Sequence, residues 1–315
     1  MDLSPILLVV LLLILGAEFV NGWTDAPNAI ATVVSTRVMT PTTALGMATI
    51  LNILGTMSGT AVAATIGKGI IRVEAVNLTT VGAAMVAIII WSTLTWRYGL
   101  PTSESHALIA GLTGAGIATA GPSVLLWEGW QKVLIGLLFS SFLGFFAGGL
   151  IIVAISWLFA HQTPGTVRRL FGRLQILSAA FMAFSHGSND GQKFIGAFTL
   201  ALMLGGVIQE FHVSWWVIFL CSVTMGIGTA VGGWRIIKTM GLRIVRLEPY
   251  HGFAAETAAA TTIELASRLG IPLSTTHTIN TAIMGVGASR RLSAVRWGVA
   301  GEIVGHGFSR SPCVA

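Results

Sequence analysis

The chain has 315 residues, of which 54% are hydrophobic and only 10% charged; 38 are glycine, and the mean hydropathy is +0.81. That balance excludes a water-soluble core and leaves no aqueous domain, so the chain reads as an all-α polytopic membrane protein. The formal charge of +6 sits in loop arginines rather than a basic domain, which excludes nucleic-acid binding, and Cys221 and Cys313 offer neither a disulfide framework nor a cysteine metal site.

Taken in chain order, apolar runs at 5–20, 43–66, 78–96, 133–160, 194–208 and 213–231 are long enough to cross or deeply enter a hydrocarbon core about 30 Å thick. The first carries no Lys or Arg before its apolar stretch and continues straight into FVNGWTDAPN, so it reads as a retained helix rather than a cleaved leader. Between the fourth and fifth runs, HQTPGTVRRLFGRLQ places Arg168, Arg169 and Arg173 in a short central loop, which positive charge predicts to be cytoplasmic. The expected organisation is a first transmembrane repeat at 1–160, a basic cytoplasmic linker at 161–175 and a second transmembrane repeat at 176–315.

Three segment pairs support the duplication. GWTDAPNAI (22–30) matches GSNDGQKFI (187–195), GTAV at 59–62 returns at 228–231, and PTSESHALIAGLTGAG (101–116) aligns with PLSTTHTINTAIMGVG (272–287). The offsets, 22 to 187, 59 to 228 and 101 to 272, are 165, 169 and 171 residues, nearly constant along the chain. Analogy with other secondary transporters predicts that the two halves are inverted.

Asp25 and Asp190 are the carboxylates that repeat, each among glycines and amides. A bare carboxylate in a bilayer costs several kcal/mol, so each predicts a partner or a wet cavity. Pro27 and the surrounding glycines are expected to break the helices and free carbonyls, which with carboxylate and amide oxygens would suit Na+; a protonatable Asp would suit H+ equally well. The plainer reading is an Asp capping a helix at the membrane surface. Lys193, opposite Asn28 in the alignment, either neutralises Asp190 or contacts an anion.

GLPTSESHAL and GIPLSTTHTI each carry Gly-x-Pro followed by hydroxyls and a His, flanked by apolar stretches at 80–96 and 107–120, and at 254–266 and 278–288. That pattern predicts helix, tight turn, helix, with Ser or Thr capping the second helix. Two such tips facing each other would pool free N–H groups and the hydroxyls of Ser103, Ser105, Ser274, Thr275 and Thr276 around a tetrahedral oxyanion. If the tips faced water instead, the same residues would be ordinary caps. His106 and His277 could donate to the anion, respond to pH or bond a neighbouring carbonyl.

The segments NGWTDAPNAIATVVSTRVMTP, GLPTSESHALIAGLTGAGIA, FSHGSNDGQKFIGAF, GIPLSTTHTINTAIMGVGASRR and RWGVAGEIV resemble the inorganic phosphate transporter (PiT) family across almost the whole chain, most closely its bacterial low-affinity members. The resemblance implies a multi-pass cell-membrane protein, in bacteria of the inner membrane, built of two inverted repeats with paired re-entrant helical hairpins that hold phosphate at their tips. Its phosphate-binding positions fall on Thr102, Ser103, Ser105, Ser274, Thr275 and Thr276, and its cation-coupling positions on Asp25, Asn28, Asn189 and Asp190; Lys193, His106 and His277 are accessory candidates. It implies import of inorganic phosphate, in part as a metal-phosphate complex, by proton symport; Na+ coupling or another oxyanion such as sulfate are the alternatives. It implies no cofactor beyond the coupling H+ or Na+, and it leaves room for a homodimer. Thr24 stands where the second repeat has Asn189, which makes the cation site asymmetric. Members of that family continue after RWGVAGEIV into a last apolar helix, whereas this chain reads the polar GHGFSRSPCVA, so its second repeat is expected to lack that helix. Sites that come in duplicate argue against an intramembrane hydrolase, which needs a single nucleophile and base.

Overall fold

The computed structural model describes residues 4–232, 236–237 and 247–289, and positions 293, 295 and 297. Ten α-helices account for most of it: α1 Pro5–Ser35, α2 Pro41–Thr56, α3 Ala61–Lys68, α4 Leu78–Arg97, α5 Glu104–Ala120, α6 Trp127–Leu158, α7 Pro164–Leu204, α8 Trp215–Val231, α9 Pro249–Arg268 and α10 Thr275–Ala288. Among the described residues no strand forms beyond an isolated bridge between Ile71 and Leu125. The segment after RWGVAGEIV, on which the reading of the last helix rests, falls outside the described residues.

The helix starts follow from local chemistry. Ser4, Thr40 and Thr163 each accept a backbone N–H in the first turn and are followed by Pro5, Pro41 and Pro164, whose fixed φ suits the first helical position. Helices α1, α4 and α6 are long and apolar enough to cross a bilayer, and α2 with α3 form a pair bent by 66°. The run at 43–66, read as one span, is therefore broken between Met57 and Thr60. The basic stretch read as a loop is helical from Pro164 onward and continuous with the run at 194–208. At 41 residues α7 is about 60 Å long, twice the hydrocarbon thickness, so its first turns, with Arg168, Arg169 and Arg173 exposed, project beyond the apolar layer.

Two hydrophobic clusters set how the long helices run. Ala29 to Val33 of α1 pack with Phe171 to Ala183 of α7 in one, and Leu7 to Ala17 of α1 pack with Phe194 to Leu202 in the other, so α1 and α7 are antiparallel. The helix interruptions expected at the two aspartates do not occur: α1 runs unbroken through Pro27, and α7 through Gly187 and Gly191. Pro27 removes a single donor, the one that would pair with the Trp23 carbonyl. The glycines serve close packing instead. A Cβ on Gly22 would collide with the Met225 carbonyl, one on Gly187 with the Asn52 carbonyl and one on Gly191 with the Thr56 side chain.

Helix α6 shows the same device on its inner side. Gly136, Ser140, Gly144 and Gly148 recur every fourth residue and are buried, and Gly144 and Gly148 lie against the backbone of Thr278 and Ala282 in α10. Leu138, Phe142, Phe146 and Leu150 line the outer side, each at least 60% exposed, as a surface for lipid tails.

Candidate functional site

The two expected hairpins are α4–α5 and α9–α10. Gly99 and Gly270 open their turns with φ of 68° and 66°, the left-handed region where glycine carries no Cβ penalty. Ser103 and Ser274 then cap α5 and α10 by accepting from the His106 and His277 backbone N–H, at 3.3 and 3.1 Å. The plain capping reading therefore holds for both. The tips nevertheless do not face water: Thr102, Ser103, Ser105, Ser274, Thr275 and Thr276 are all buried.

The tips meet. Ser105 Oγ donates to the Leu273 carbonyl (2.7 Å), Thr276 Oγ1 to the Thr102 carbonyl (3.2 Å), and the rings of His106 and His277 contact edge to face at 4.7 Å. His106 and His277 thus lie together between the two hairpins.

The long helices deliver the aspartates to this junction. On α1, Asn28 donates from Nδ2 to Thr276 Oγ1 (2.8 Å) and Thr275 Oγ1 (3.5 Å), while Asp25 accepts from Thr276 Oγ1 (3.4 Å). On α7, Asp190 accepts from Thr275 Oγ1 (2.7 Å) and pairs with Lys193. Lys193 also donates to Ser105 Oγ and the Leu273 carbonyl, so one buried ammonium touches both tips and a carboxylate. Lys193 is thus ion-paired with Asp190, as the first of its two readings requires.

Asn189 points elsewhere. Its amide donates to Ser267 Oγ (2.9 Å) and the Ile271 carbonyl (3.3 Å) and accepts from Leu273 N (3.4 Å), holding the second tip against α7. Thr24, its counterpart in the alignment, donates to Glu104 Oε1 (3.0 Å).

His186 is the site residue that sequence reasoning missed. Its Nε2 lies 3.3 Å from Asp190 Oδ2 and 4.0 Å from Asp25 Oδ2, and one ligand atom from each of the three residues falls within 4.8 Å of the others. On the other side of the ring, Nδ1 is 3.1 Å from Asn52 Oδ1, while Asn52 Nδ2 donates to Thr229 Oγ1 (3.0 Å), which donates in turn to the Met225 carbonyl (2.9 Å). With its amide nitrogen so engaged, Asn52 offers oxygen to the ring, which makes Nδ1 the protonated nitrogen and turns Nε2 toward the carboxylates. The signal was present in the i, i+4 spacing of His186 and Asp190, which puts both on one helix face. Two buried carboxylates beside this centre have no Lys, Arg or His partner among the described residues. Glu104 accepts from Ser92 (2.6 Å), and Glu256 accepts from Thr32 (2.5 Å), Ser178 and Gln175 (3.2 Å).

Two carboxylates, an imidazole and a lysine enclosed by hydroxyls can hold a small cation beside an oxyanion. A family model described as the phosphate transporter family matches residues 21–308. The chain belongs to the phosphate transporter family. Within that family it is 45% identical over 302 residues to a probable low-affinity inorganic phosphate transporter of Rhizobium meliloti (strain 1021), covering 95% of this chain and 90% of the relative. A protein of the same description from Bacillus subtilis (strain 168) is 38% identical over 304 residues, covering 95% and 91%. A solved structure titled the sodium-dependent phosphate transporter superposes with a TM-score of 0.91 at 25% identity, over 98% of this chain and 96% of that one. The phosphate transporter family consists of transporters rather than enzymes, and this chain is accordingly a multi-pass protein of the cell membrane.

Proposed function

We propose that this phosphate transporter imports inorganic phosphate by symport with a cation held at Asp25, His186 and Asp190, the phosphate being received between the two hairpin tips by Thr102, Ser103, Ser105, Ser274, Thr275 and Thr276. The observation that carries the reading is Lys193, which bonds Asp190 and Ser105 at once and so ties the carboxylate centre to the hydroxyl tips. A cation at the centre lowers the negative charge that an incoming phosphate meets, which is how binding of one favours the other. The first reading of the cation is H+, because His186 Nε2 lies where a proton can be shared with Asp190. Na+ is the second reading, favoured by the grouped carboxylate oxygens and by the sodium-dependent relative of the same fold.

The antiparallel course of α1 and α7 supports an inverted relation between the halves, and we propose that one hairpin unit rocks against the other to expose the tips to each side in turn. With the arginine-rich start of α7 cytoplasmic, the start of α1 faces outward.

The test is uptake of radiolabelled phosphate into proteoliposomes under an imposed proton gradient, then a Na+ gradient, each with and without Mg2+ and with sulfate as competitor. One gradient should drive uptake, and sulfate should compete poorly, because Asp25 and Asp190 accept a hydrogen bond from protonated phosphate and sulfate has no proton to offer near neutral pH. Asp190→Asn should abolish gradient-driven uptake. Normal driven uptake in that variant would remove the coupling role, and equal competition by sulfate would remove the argument for phosphate selectivity.

A further inference from the structure

The polar face of α1 continues past Asp25 toward the helix start. Glu18, Asn21, Asp25, Asn28 and Thr32 are spaced by three, four, three and four residues, which places them on one face, and all are buried. The last three have partners. Glu18 and Asn21 are fully buried, and apart from the Asn21 side chain set against the Glu18 carboxylate, neither has a hydrogen-bond partner among the described residues. A carboxylate and an amide one helical turn apart, with no partner beyond each other inside a membrane protein, call for a ligand that the side chains around them do not supply.

The surroundings narrow its chemistry. The charges nearest Glu18 are Asp190 and Lys193 on α7, and Cys221 faces it from α8; the buried side of α4 contributes no titratable group. Lys193 is already engaged with Asp190, Ser105 and Leu273, so Glu18 has no counter-ion of its own. Two carboxylate oxygens and an amide oxygen form a hard, anionic donor set that suits a small cation. The seven residues from Glu18 to Asp25 span about 10 Å of helix, and they approach the centre from the outward end of α1.

We propose that Glu18 and Asn21 form a cation station, outward of the Asp25–His186–Asp190 centre, which holds H+ or Na+ in transit to it. The station rests on the cation-symport reading above for its purpose, but not for its occupancy. Bound Na+ would be shared by the oxygens of both residues; a bound proton would sit on the Glu18 carboxyl and be donated to Asn21 Oδ1.

The experiment uses the purified full chain in detergent as wild type, Glu18→Gln, Asn21→Ala and Asp190→Asn. Two readouts separate the ions: 22Na+ equilibrium binding with the thermal shift in Na+ over choline, and the infrared C=O stretch of a protonated carboxyl, which a carboxylate lacks. The expected result is that one signal survives Asp190→Asn, disappears in Glu18→Gln and, if it is Na+ binding, weakens at least tenfold in Asn21→Ala. Should Glu18→Gln not fold, the Asn21→Ala result decides. A wild type that shows neither signal, or variants at 18 and 21 that leave both unchanged, would overturn the station. Phosphate uptake by wild-type proteoliposomes is scored separately, so a Glu18-dependent cation signal without gradient-driven uptake would sink the symport reading and leave the station standing.

Discussion

Thr275 donates to Asp190 and accepts from Asn28, so a single hydroxyl on the second tip joins both long helices. Thr275→Ala deletes that junction and leaves Asp190 one donor short in a buried place, where an unmet acceptor costs about 1–3 kcal/mol. The expected outcome is a rise of tenfold or more in the phosphate concentration for half-maximal uptake, with normal expression. Ser103→Ala should behave differently, because Ser103 is the cap of α5. It is expected to cost about 1 kcal/mol of stability as well as weakening phosphate binding, measurable as a lower midpoint of thermal unfolding in detergent. A Ser103→Ala protein with both wild-type stability and wild-type uptake would deny the residue either role.

At this scale the sequence was readable where two copies could be compared. Asp25 and Asp190 and the hydroxyl tips stood out because each appears twice in the same frame. His186 did not, since its counterpart in the first half is Asn21, and a single imidazole in an apolar run looks like any satisfied core histidine. Glu18 has no polar counterpart in the aligned second half, where Ala183 stands in its place, so its lack of partners becomes visible only once the neighbouring helices are in position.

Among the elements, glycine was easiest to misread. From sequence, Gly22, Gly187 and Gly191 beside a proline argue for helix breaks, because glycine is a poor helix former and proline a worse one. Packing overrides that propensity: the missing side chains let neighbouring elements approach at close range, and the helices run on unbroken. Hairpins were legible for the opposite reason, since Gly99 and Gly270 are needed for positive φ, a local requirement that no partner changes. The α6 stripe gives the test. Gly148→Leu would force a side chain into the Ala282 carbonyl and backbone of α10, an overpacking that costs about 1–3 kcal/mol. A fall in thermal stability with reduced uptake is expected, whereas Leu150→Ala on the lipid-facing side should change neither.

For the whole molecule, two hydrophobic clusters at opposite ends of α1 and α7 leave the polar junction between them as the part that can rearrange. Transport by rocking requires the tips to separate. A chain with Cys221→Ser, Cys313→Ser, His106→Cys and His277→Cys, at the two positions whose rings meet between the hairpins, should lose uptake when oxidised and regain it on reduction, since a bond across the tips would hold the two hairpins together. Uptake that persists in the fully cross-linked protein would show that the hairpins do not part during transport. The antiparallel course of α1 and α7 follows from which of their apolar residues share a cluster, and the continuity of α7 through the basic stretch was hidden by reading that stretch as a loop.

The bonds from Ser105 to Leu273 and from Thr276 to Thr102 carry one further consequence. The hydroxyls of Ser105 and Thr276 each donate to a carbonyl of the opposite tip, so these two donors are satisfied by the protein itself. On the proposed reading phosphate would have to displace a carbonyl to take the hydroxyl of Ser105 or of Thr276. The net gain at those two hydroxyls would be the difference between a bond to phosphate and a bond to a carbonyl, smaller than a free donor would give. A transporter made this way trades grip for turnover, and its rate should saturate late as external phosphate rises.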